Sequence, residues 1–283
     1  MRLQVYHRTI FEYAAPVIDS VNTLHLEARK FPFQKTISSL IRVLPATRLR
    51  KFEDLFQNVC HHFEIPKEHT KLEIESRLKV QNLRLTIPDE SFQATPNDLQ
   101  DAATRERTWQ YLQDSQYVVH HSQLWKQAID LTFDEVTIHG KSLAIMRWIH
   151  ETFRYQPGVT QVSTTIAQAY DLLAGVCQDF THVMLAMCRS IGLPARYASG
   201  YLYNGPSDQL VGAQASHAWC EVYLPHVGWI GYDPTNNTMA DDRYVKAAVG
   251  RDYEDVAPIK GLYRGTSQSR MIVDVLVERV DAP

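Results

Sequence analysis

Three residues of the chain carry side chains that together could perform nucleophilic catalysis. Cys177 lies in the segment Gly-Val-Cys-Gln-Asp, where a glycine-containing turn precedes a run with helical periodicity. The unpaired N–H groups at the start of such a helix favour a thiolate and can hydrogen-bond an oxyanion that forms beside the sulfur. Because a single cysteine is more often a buried core residue, this motif alone leaves both interpretations open.

His217 and Asp233 lie on the two arms of a predicted β-hairpin. His217 begins a stretch of alternating residues that is typical of a strand, and a short turn leads to a second strand that ends near Asp233. If Leu224 pairs with Gly228, Asp233 lies on the same face as His217, with a Cβ separation of about 7 Å. A shift of one residue would turn Asp233 to the opposite face, so the sequence permits this pairing without deciding it.

Together, Cys177, His217 and Asp233 supply a thiol, a base and an orienting carboxylate. In such a set the thiol attacks, the histidine accepts its proton or holds it in an ion pair, and the carboxylate fixes the histidine tautomer. The alternative for His217 is an ordinary surface histidine, since the chain has twelve histidines. The three residues are therefore predicted to be catalytic as a set.

A zinc site is the main alternative for the same part of the chain, with Cys177, His182, His217 and Cys220 as ligands. The spacing argues against it, because His182 lies about 140° around the predicted helix from Cys177. His217 and Cys220 fall on opposite faces of their strand. We therefore expect no metal ion and no cofactor, and we expect Cys188 and Cys220 to lie in the core.

Two parts of the chain must position these residues. Residues 1–85 alternate between polar and apolar side chains, which predicts a β-rich domain, whereas helical periods appear only in residues 86–283. Helices are predicted at residues 99–112, 142–153, 165–173 and 177–191, and later strands at 195–203, 216–224, 229–233 and 271–280. The change near residue 85 is a shift of composition without a flexible linker, so the two parts are expected to pack together.

The composition excludes several classes of protein. Of the 283 residues, 45% are hydrophobic and 22% are charged, which excludes a disordered or fibrous chain. The net charge of −3 lacks the basic excess that binds nucleic acid or anionic membranes. The first residues lack the apolar segment of a signal peptide, and four cysteines are too few for a disulfide scaffold. A cytoplasmic protein with reduced thiols is expected.

Longer segments around the three residues resemble a known family. They are GVCQDFTHVMLAMCRSIGLPARYASGYL from Gly175, SHAWCEVYLPHVGWIGYDPTNN from Ser216 and GRDYEDVAPIKG from Gly250. In this order they resemble the cysteine, histidine and aspartate segments of the bacterial transglutaminase-like superfamily, whose thiol enzymes are related in architecture to papain-type proteases. The region from HRTIFEYAAPV at His7 to about residue 80 is similar to the β-rich domain that precedes the core in one bacterial branch.

This resemblance implies an α+β fold, with a β-rich N-terminal domain followed by a papain-like core of helices packed on an antiparallel sheet. It aligns Cys177 with the nucleophile, His217 with the base and Asp233 with the orienting carboxylate. Nothing in the sequence resembles the calcium-loop signature of animal transglutaminases, so calcium dependence is not implied.

Further residues are candidates for the surroundings of the site. Tyr155 resembles an aromatic residue found near the family's site, and Gln178 and Trp219 are candidates for the cleft or for contact with an oxyanion. Asp179 is expected to be an acid in the first turn of its helix. One block of this sequence that matches the family comprises Arg251, Asp252 and Tyr253. We expect these residues near the cleft or at the domain junction.

The predicted function is thiol-dependent acyl transfer at an amide bond, with hydrolysis of a peptide or amide as the favoured outcome. The alternatives are transfer to an amine, as in a transglutaminase, or a non-catalytic scaffold that retains the fold. The expected partner is a peptide or protein amide substrate, without nucleic acid or membrane. If amines were the acceptor, Trp219, Trp229 and Tyr201 could shield the thioester from water, although the two tryptophans are slightly more consistent with simple packing of the hairpin.

Overall fold

The structure is a computed structural model, in which residues 1–84, 86–205, 210–212, 216–265 and 268–280 are described. The predicted boundary residue, Leu85, lies outside these ranges. The strands are β1 (Arg2–Leu24), β2 (Gln34–Leu44), β3 (Arg50–Glu53), β4 (Val59–Ile65), β5 (His69–Asn82), β6 (Arg154–Tyr155), β7 (Ala174–Gly175), β8 (Ala195–Leu202), β9 (His217–Leu224), β10 (Gly228–Asp233), β11 (Thr238–Met239), β12 (Tyr244–Gly250), β13 (Ile259–Arg264) and β14 (Ser269–Arg279). The α-helices are α1 (Ala102–Thr108), α2 (Ser122–Leu131), α3 (Ile138–Thr152), α4 (Ile166–Leu172), α5 (Cys177–Ser190) and α6 (Tyr253–Val256).

The long strand β1 organises the N-terminal module, which consists of β1 to β5. Its side chains alternate as the sequence predicts, so that Leu3 and Val5 are buried while their neighbours are partly exposed. The strand order is β2-β5-β1-β4-β3, and β13 and β14 also pair with β1. The predicted β-rich N-terminal part of an α+β fold is confirmed.

The end of the chain returns to the N-terminal module. The strand predicted at residues 271–280 is observed as β14, and it pairs antiparallel with β1 from Leu3 opposite Arg279 to Tyr13 opposite Ser269. Sequence patterns identified this strand but not its partner, because strand pairing over such a distance leaves no local signal. The domain boundary at residue 85 stays a prediction. Strands β13 and β14 follow this boundary in the chain, but both pair with β1 of the N-terminal module.

The core consists of helices packed against a second sheet, with strand order β11-β10-β9-β8-β12. Helix α5 buries the predicted apolar stripe that includes Phe180, Met184 and Met187. The helix predicted at residues 99–112 is wrong in length, because the observed helix α1 is shorter and has a 3₁₀ turn on either side. Helix α1 begins only after Asp101, whose side chain accepts the N–H of Thr104. Helix α2 and strand β12 were not predicted.

Strand β9 is buried on both faces of this sheet. The residues that face α5, such as Ala218 and Cys220, belong to the main apolar core. On the other face, Glu221 forms buried salt bridges with Arg196, at 2.7 Å, and with Lys246. The predicted alternation of β9 is therefore correct, but its second face is covered by protein rather than by water.

The N-terminal module completes the free edge of β12. The side-chain amide of Asn58 accepts the N–H of Val249 and donates to its carbonyl, both at 2.8 Å. Gln34 does the same for Lys246, with distances of 2.8 and 2.7 Å. Because a buried edge strand needs partners for its backbone groups, these two amides take the place of a further strand. The two parts of the chain are therefore held together by β12.

This arrangement predicts that Asn58 stabilises the whole fold. Asn58 is fully buried, so Asn58→Ala leaves both backbone groups of Val249 without partners. We expect a loss of at least about 2 kcal/mol in the free energy of unfolding, measured by urea denaturation. The control Asn97→Ala, at an exposed asparagine, should change this value by less than about 0.5 kcal/mol. Equal effects of the two substitutions would contradict the assignment.

Candidate active site

Cys177 is the first residue of α5, as the sequence predicts. The preceding strand β7 pairs with β6, which places Tyr155 opposite Gly175. Asp179 accepts the N–H of Val176 at 2.8 Å and thereby fixes the first helical turn, as expected of a first-turn acid. A Cβ at residue 175 would lie 2.4 Å from the Asp179 carboxylate, so the turn requires glycine there. The Cys177 side chain is thus held at a helix N-terminus, with 9% of the residue exposed.

His217 and Asp233 meet across the hairpin of β9 and β10. Of the registers that the sequence left open, the structure has the one with Leu224 opposite Gly228 and Tyr232 opposite Cys220. The Nε2 atom of His217 donates to Oδ2 of Asp233 at 2.7 Å, and both side chains are fully buried. This hydrogen bond occupies Nε2 and leaves Nδ1 as the ring nitrogen that can exchange a proton with a thiol.

The Asp233 carboxylate is held by four further donors. Its Oδ1 accepts the backbone N–H groups of Thr235 at 2.9 Å and Asn236 at 3.3 Å. Its Oδ2 accepts the Asn236 amide and the Tyr244 hydroxyl, both at 2.8 Å. Burial alone would raise the pKa of Asp233, but His217 and these donors lower it below its ordinary value. The carboxylate is therefore ionised and fixed in position.

The charge of His217 depends on the same contacts. Burial disfavours the charged imidazole, but the Asp233 carboxylate and the Cys177 sulfur outweigh this effect and raise the pKa of His217 to about 10. Nδ1 has no hydrogen-bond partner among the described residues. The structure thus brings Cys177, His217 and Asp233 together, with Nδ1 available to the sulfur.

Tyr155 also lies at this site. A Cβ built on Gly212 would lie 2.8 Å from Nδ1 of His217 and 3.7 Å from the Tyr155 hydroxyl, so these two groups face the same space. Burial, together with the nearby Cys177 sulfur and Asp233 carboxylate, raises the pKa of Tyr155 to about 12. The phenol therefore remains protonated and can donate a hydrogen bond. A side chain at residue 212 would collide with the imidazole, and the φ of +87° there also favours glycine.

Trp219 lies behind His217 in the interior of the protein. Gly200 and Gly231, on the strands either side of β9, leave the space for its ring, because a Cβ at either residue would lie 3.1 Å from the indole. The ring stacks on His217 at a centroid distance of 6.3 Å and contacts Tyr244 edge-on at 5.3 Å. Its position supports the imidazole, and its buried Nε1 has no partner among the described residues.

A cavity of about 310 Å³ lies on the far side of Trp219, between the N-terminal module and the core. Trp229 also lines this cavity, and Tyr201 does not. The hydroxyl of Tyr201 instead bonds His7 of the N-terminal module at 2.9 Å. Of the three residues considered as a shield for the thioester, Trp219 and Trp229 therefore line this cavity, whereas Tyr201 contacts the N-terminal module.

Other predicted residues have structural contacts. The Gln178 amide donates to the Val162 carbonyl at 3.1 Å, which ties the preceding loop to α5. Asp252 accepts the N–H of Tyr117 at 2.7 Å and caps α6, while Arg251 pairs with Asp255 at 2.9 Å.

The residues of the alternative zinc site have other surroundings. His182 is buried, and its Nε2 accepts the N–H of Tyr253 at 3.2 Å. Cys188 and Cys220 are fully buried in the core, as expected.

Sequence reasoning did not single out Tyr244, Asn236 or Gly212. The turn residues that follow Asp233 were a usable signal for Asn236, because side-chain amides often bond nearby groups in turns. Tyr244 had no such signal, since strand β12 was itself not predicted.

Comparison with known proteins identifies the family of the chain. The family model "Transglutaminase-like superfamily" matches residues 128–234, and "Bacterial transglutaminase-like N-terminal region" matches residues 3–81. An uncharacterized protein of Mycobacterium leprae is 34% identical over 281 residues, which are 98% of each chain. The chain belongs to the transglutaminase-like superfamily. The resemblance seen in the sequence is thereby confirmed.

Two further proteins are similar to this transglutaminase-like chain. A protein-glutamine gamma-glutamyltransferase of Pseudomonas aeruginosa is 30% identical over 132 residues, which are 43% of this chain and 20% of that protein. The crystal structure of a "putative cysteine protease" from Cytophaga hutchinsonii has a TM-score of 0.80, at 23% identity, over 100% of this chain and 92% of that chain. The latter match shows a shared fold.

None of the helices in the described residues of the transglutaminase-like chain combines the length and the apolar character needed to cross a bilayer.

The buried pair of His217 and Asp233 makes the stability of this transglutaminase-like protein depend on pH. Because the pKa of Asp233 is lowered, its contribution is present above its ordinary value of 3.8 and is lost as the pH falls further. Because the pKa of His217 is raised, its contribution is complete below 6.5 and is lost as the pH rises through about 10. The pair therefore stabilises the fold most between these ordinary values.

We expect the difference in unfolding free energy between wild type and Asp233→Asn to be largest at about pH 4 to 6.5. Above this window it should decrease by up to about 1.4 kcal/mol per pH unit, as measured by urea denaturation in a pH series. Asp130→Asn, at an exposed residue of α2, serves as the control and should show no such trend. A difference for Asp233→Asn that stayed constant across the series would contradict a charged pair.

Proposed function

We propose that the protein catalyses acyl transfer at an amide bond, with Cys177 as the nucleophile, His217 as the base and Asp233 as its orienting carboxylate. The observation that carries this proposal is the 2.7 Å hydrogen bond between Nε2 of His217 and Asp233 inside the protein. It leaves Nδ1 for the thiol of Cys177, which lies at the start of α5. A non-catalytic scaffold would have no need of the complete set.

The first step transfers the acyl group to the enzyme. Because its raised pKa keeps His217 charged at neutral pH, the thiol proton already rests on Nδ1 in an ion pair, and the Cys177 sulfur attacks the amide carbon to form a C–S bond and an oxyanion. The C–N bond then breaks as His217 returns the proton to the leaving amine or ammonia. The product is an acyl-thioester on Cys177, and Asp233 stabilises the imidazolium until it gives up this proton.

Two donors stabilise the oxyanion, one at the start of α5 and one on β6. The backbone N–H of Cys177 belongs to the first helical turn, where the N–H groups lack intrahelical partners. The Tyr155 phenol is a second donor in our proposal, since it shares the space beside Nδ1 of His217. Its raised pKa keeps the proton on the phenol at neutral pH.

In the second step an acceptor takes the acyl group from Cys177, and we propose that this acceptor is water, which hydrolyses the thioester. Nδ1 accepts a proton from water, the hydroxyl attacks the thioester carbon, and the carboxylic acid leaves as the thiol is restored. Water is present at about 55 M, so an amine acceptor must be bound next to the thioester or water must be excluded. The substrate is a peptide or protein amide in this proposal, without nucleic acid or membrane.

Transfer to an amine is the second candidate. It is favoured by the similarity of 132 residues to the protein-glutamine gamma-glutamyltransferase of Pseudomonas aeruginosa. If glutamine is the acyl donor, both reactions begin with the same thioester and release of ammonia. They differ only in the final product, which makes them separable in one assay.

The assay supplies glutamine-containing peptides with an excess of primary amine and measures free acid against amide product. We expect free acid to dominate for the wild type, and no turnover for Cys177→Ala or His217→Ala. Asp233→Asn should keep more activity than either, because Asp233 orients the proton carrier without carrying the proton. The control Cys188→Ala removes a buried thiol from the same helix and should stay active.

Two results would change the proposal. Mostly amide product at millimolar amine would replace hydrolysis with transamidation and keep the thioester chemistry. Loss of folding in all three variants at Cys177, His217 and Asp233, seen as equal losses of cooperative thermal unfolding, would instead make these residues structural.

A further inference from the structure

A second cluster of chemically active side chains lies in the N-terminal module. His25, Asp54 and Cys60 each offer one ligand atom, and these atoms all lie within 4.8 Å of one another. His25 and Cys60 are buried and Asp54 is partly buried. The cluster shares no residue with the candidate active site, and the proposed acyl transfer does not use it.

His25 is oriented in the way that is usual for a metal ligand. It follows directly after the end of β1, and its backbone N–H donates to the Pro258 carbonyl at 2.9 Å. Its Nδ1 donates to the Ala257 carbonyl at 2.8 Å. Histidines that bind metals commonly donate their second ring N–H to a carbonyl or carboxylate, which fixes the ring and the tautomer. Nε2 then faces Asp54 and Cys60, where a cation can replace a proton on its lone pair.

Asp54 is held just as firmly. Its Oδ1 accepts the backbone N–H groups of Phe56 at 2.9 Å and Asn58 at 2.7 Å, and its Oδ2 accepts the Asn58 amide at 2.9 Å. The distance from Oδ2 to Nε2 of His25 is 3.7 Å. This is too long for a hydrogen bond, but two ligands of one tetrahedral zinc ion lie about 3.3 to 3.6 Å apart.

Cys60 supplies the third ligand from strand β4. Its residue is fully buried, and its Sγ lies 3.6 Å from the carbonyl oxygen of Asn58. Thiolate, imidazole and carboxylate together are a donor set that suits zinc better than calcium or magnesium, which bind oxygen ligands. One thiolate and one carboxylate also neutralise a divalent cation, which suits a buried position.

We propose that His25 Nε2, Asp54 Oδ2 and Cys60 Sγ bind a divalent ion of the zinc type. On binding, the Cys60 thiol loses its proton to solvent, and so does any protonated Nε2 of His25. The fourth ligand is a water molecule that enters beside Asp54, whose side chain is 19% exposed. Because Ala257 orients His25 and Asn58 contacts both Asp54 and β12, the ion would fasten the N-terminal module to the core.

The first test is metal binding by the full chain after treatment with a chelator. To separate this cluster from the candidate active site, zinc is titrated into wild type and Cys177→Ala by calorimetry. Both should bind one equivalent, and the same ion should raise their midpoint of thermal unfolding. Cobalt(II) in Cys177→Ala should give visible bands of a tetrahedral site and a thiolate-to-cobalt charge-transfer band.

Variants of the cluster then locate the ion. We expect Cys60→Ser and His25→Asn to bind zinc at least about 100-fold more weakly than Cys177→Ala does. His62→Gln is the matched control, because His62 lies on the same strand as Cys60 but outside the cluster. It should bind zinc like the wild type.

Two results would overturn the proposal. One is zinc binding that is lost in Cys177→Ala or kept by a folded Cys60→Ser chain. The other is the absence of a thiolate-to-cobalt band in Cys177→Ala, which decides the question even if the cluster variants fail to fold. Neither result affects the proposed acyl transfer, which depends on Cys177, His217 and Asp233.

Discussion

The buried hydrogen bond between His217 and Asp233 is the interaction on which the rest of the site depends. Two charged groups inside a protein are costly unless each is fully hydrogen-bonded, and here the carboxylate has four donors besides His217. One of these donors, the hydroxyl of Tyr244, lies on strand β12. The N-terminal module completes the edge of β12 through Asn58 and Gln34. The position of the imidazole is therefore linked to a part of the chain far from it in sequence.

The local features of the site could be predicted from the sequence. The start of α5 at Cys177 follows from a glycine turn before a helical period, whereas the alternating strands permitted the register of Leu224 with Gly228 without deciding it. Contacts between distant segments could not be predicted in this way. Tyr244 and Asn58 are polar or amphipathic residues whose partners come from other elements, so their own neighbours in sequence do not indicate what they bind.

The same limit applies to His25, Asp54 and Cys60. They come from the end of β1, from the loop before β4 and from β4 itself, and no short ligand spacing connects them. The antiparallel pairing of β1 with β4, with Leu24 opposite His61, leads His25 to Cys60, and the ligand atoms of all three residues lie within 4.8 Å of one another. In our proposal a metal ion there would strengthen the junction that also holds β12 and hence Tyr244. The N-terminal module would then act on the site through the rigidity of the core sheet.

The central claim is that the pair of His217 and Asp233 makes Cys177 the reactive thiol of the protein. It is tested most directly by the rate at which iodoacetamide alkylates each cysteine at neutral pH, followed by peptide mapping with mass spectrometry. Cys177 is 9% exposed and the other three cysteines are fully buried, so the comparison with His217→Gln is needed to separate activation by the imidazole from exposure. We predict that Cys177 reacts at least about 100-fold faster than Cys60, Cys188 or Cys220 and loses this advantage in His217→Gln. Uniform labelling, or a fast reaction of Cys177 that does not change in His217→Gln, would contradict the account.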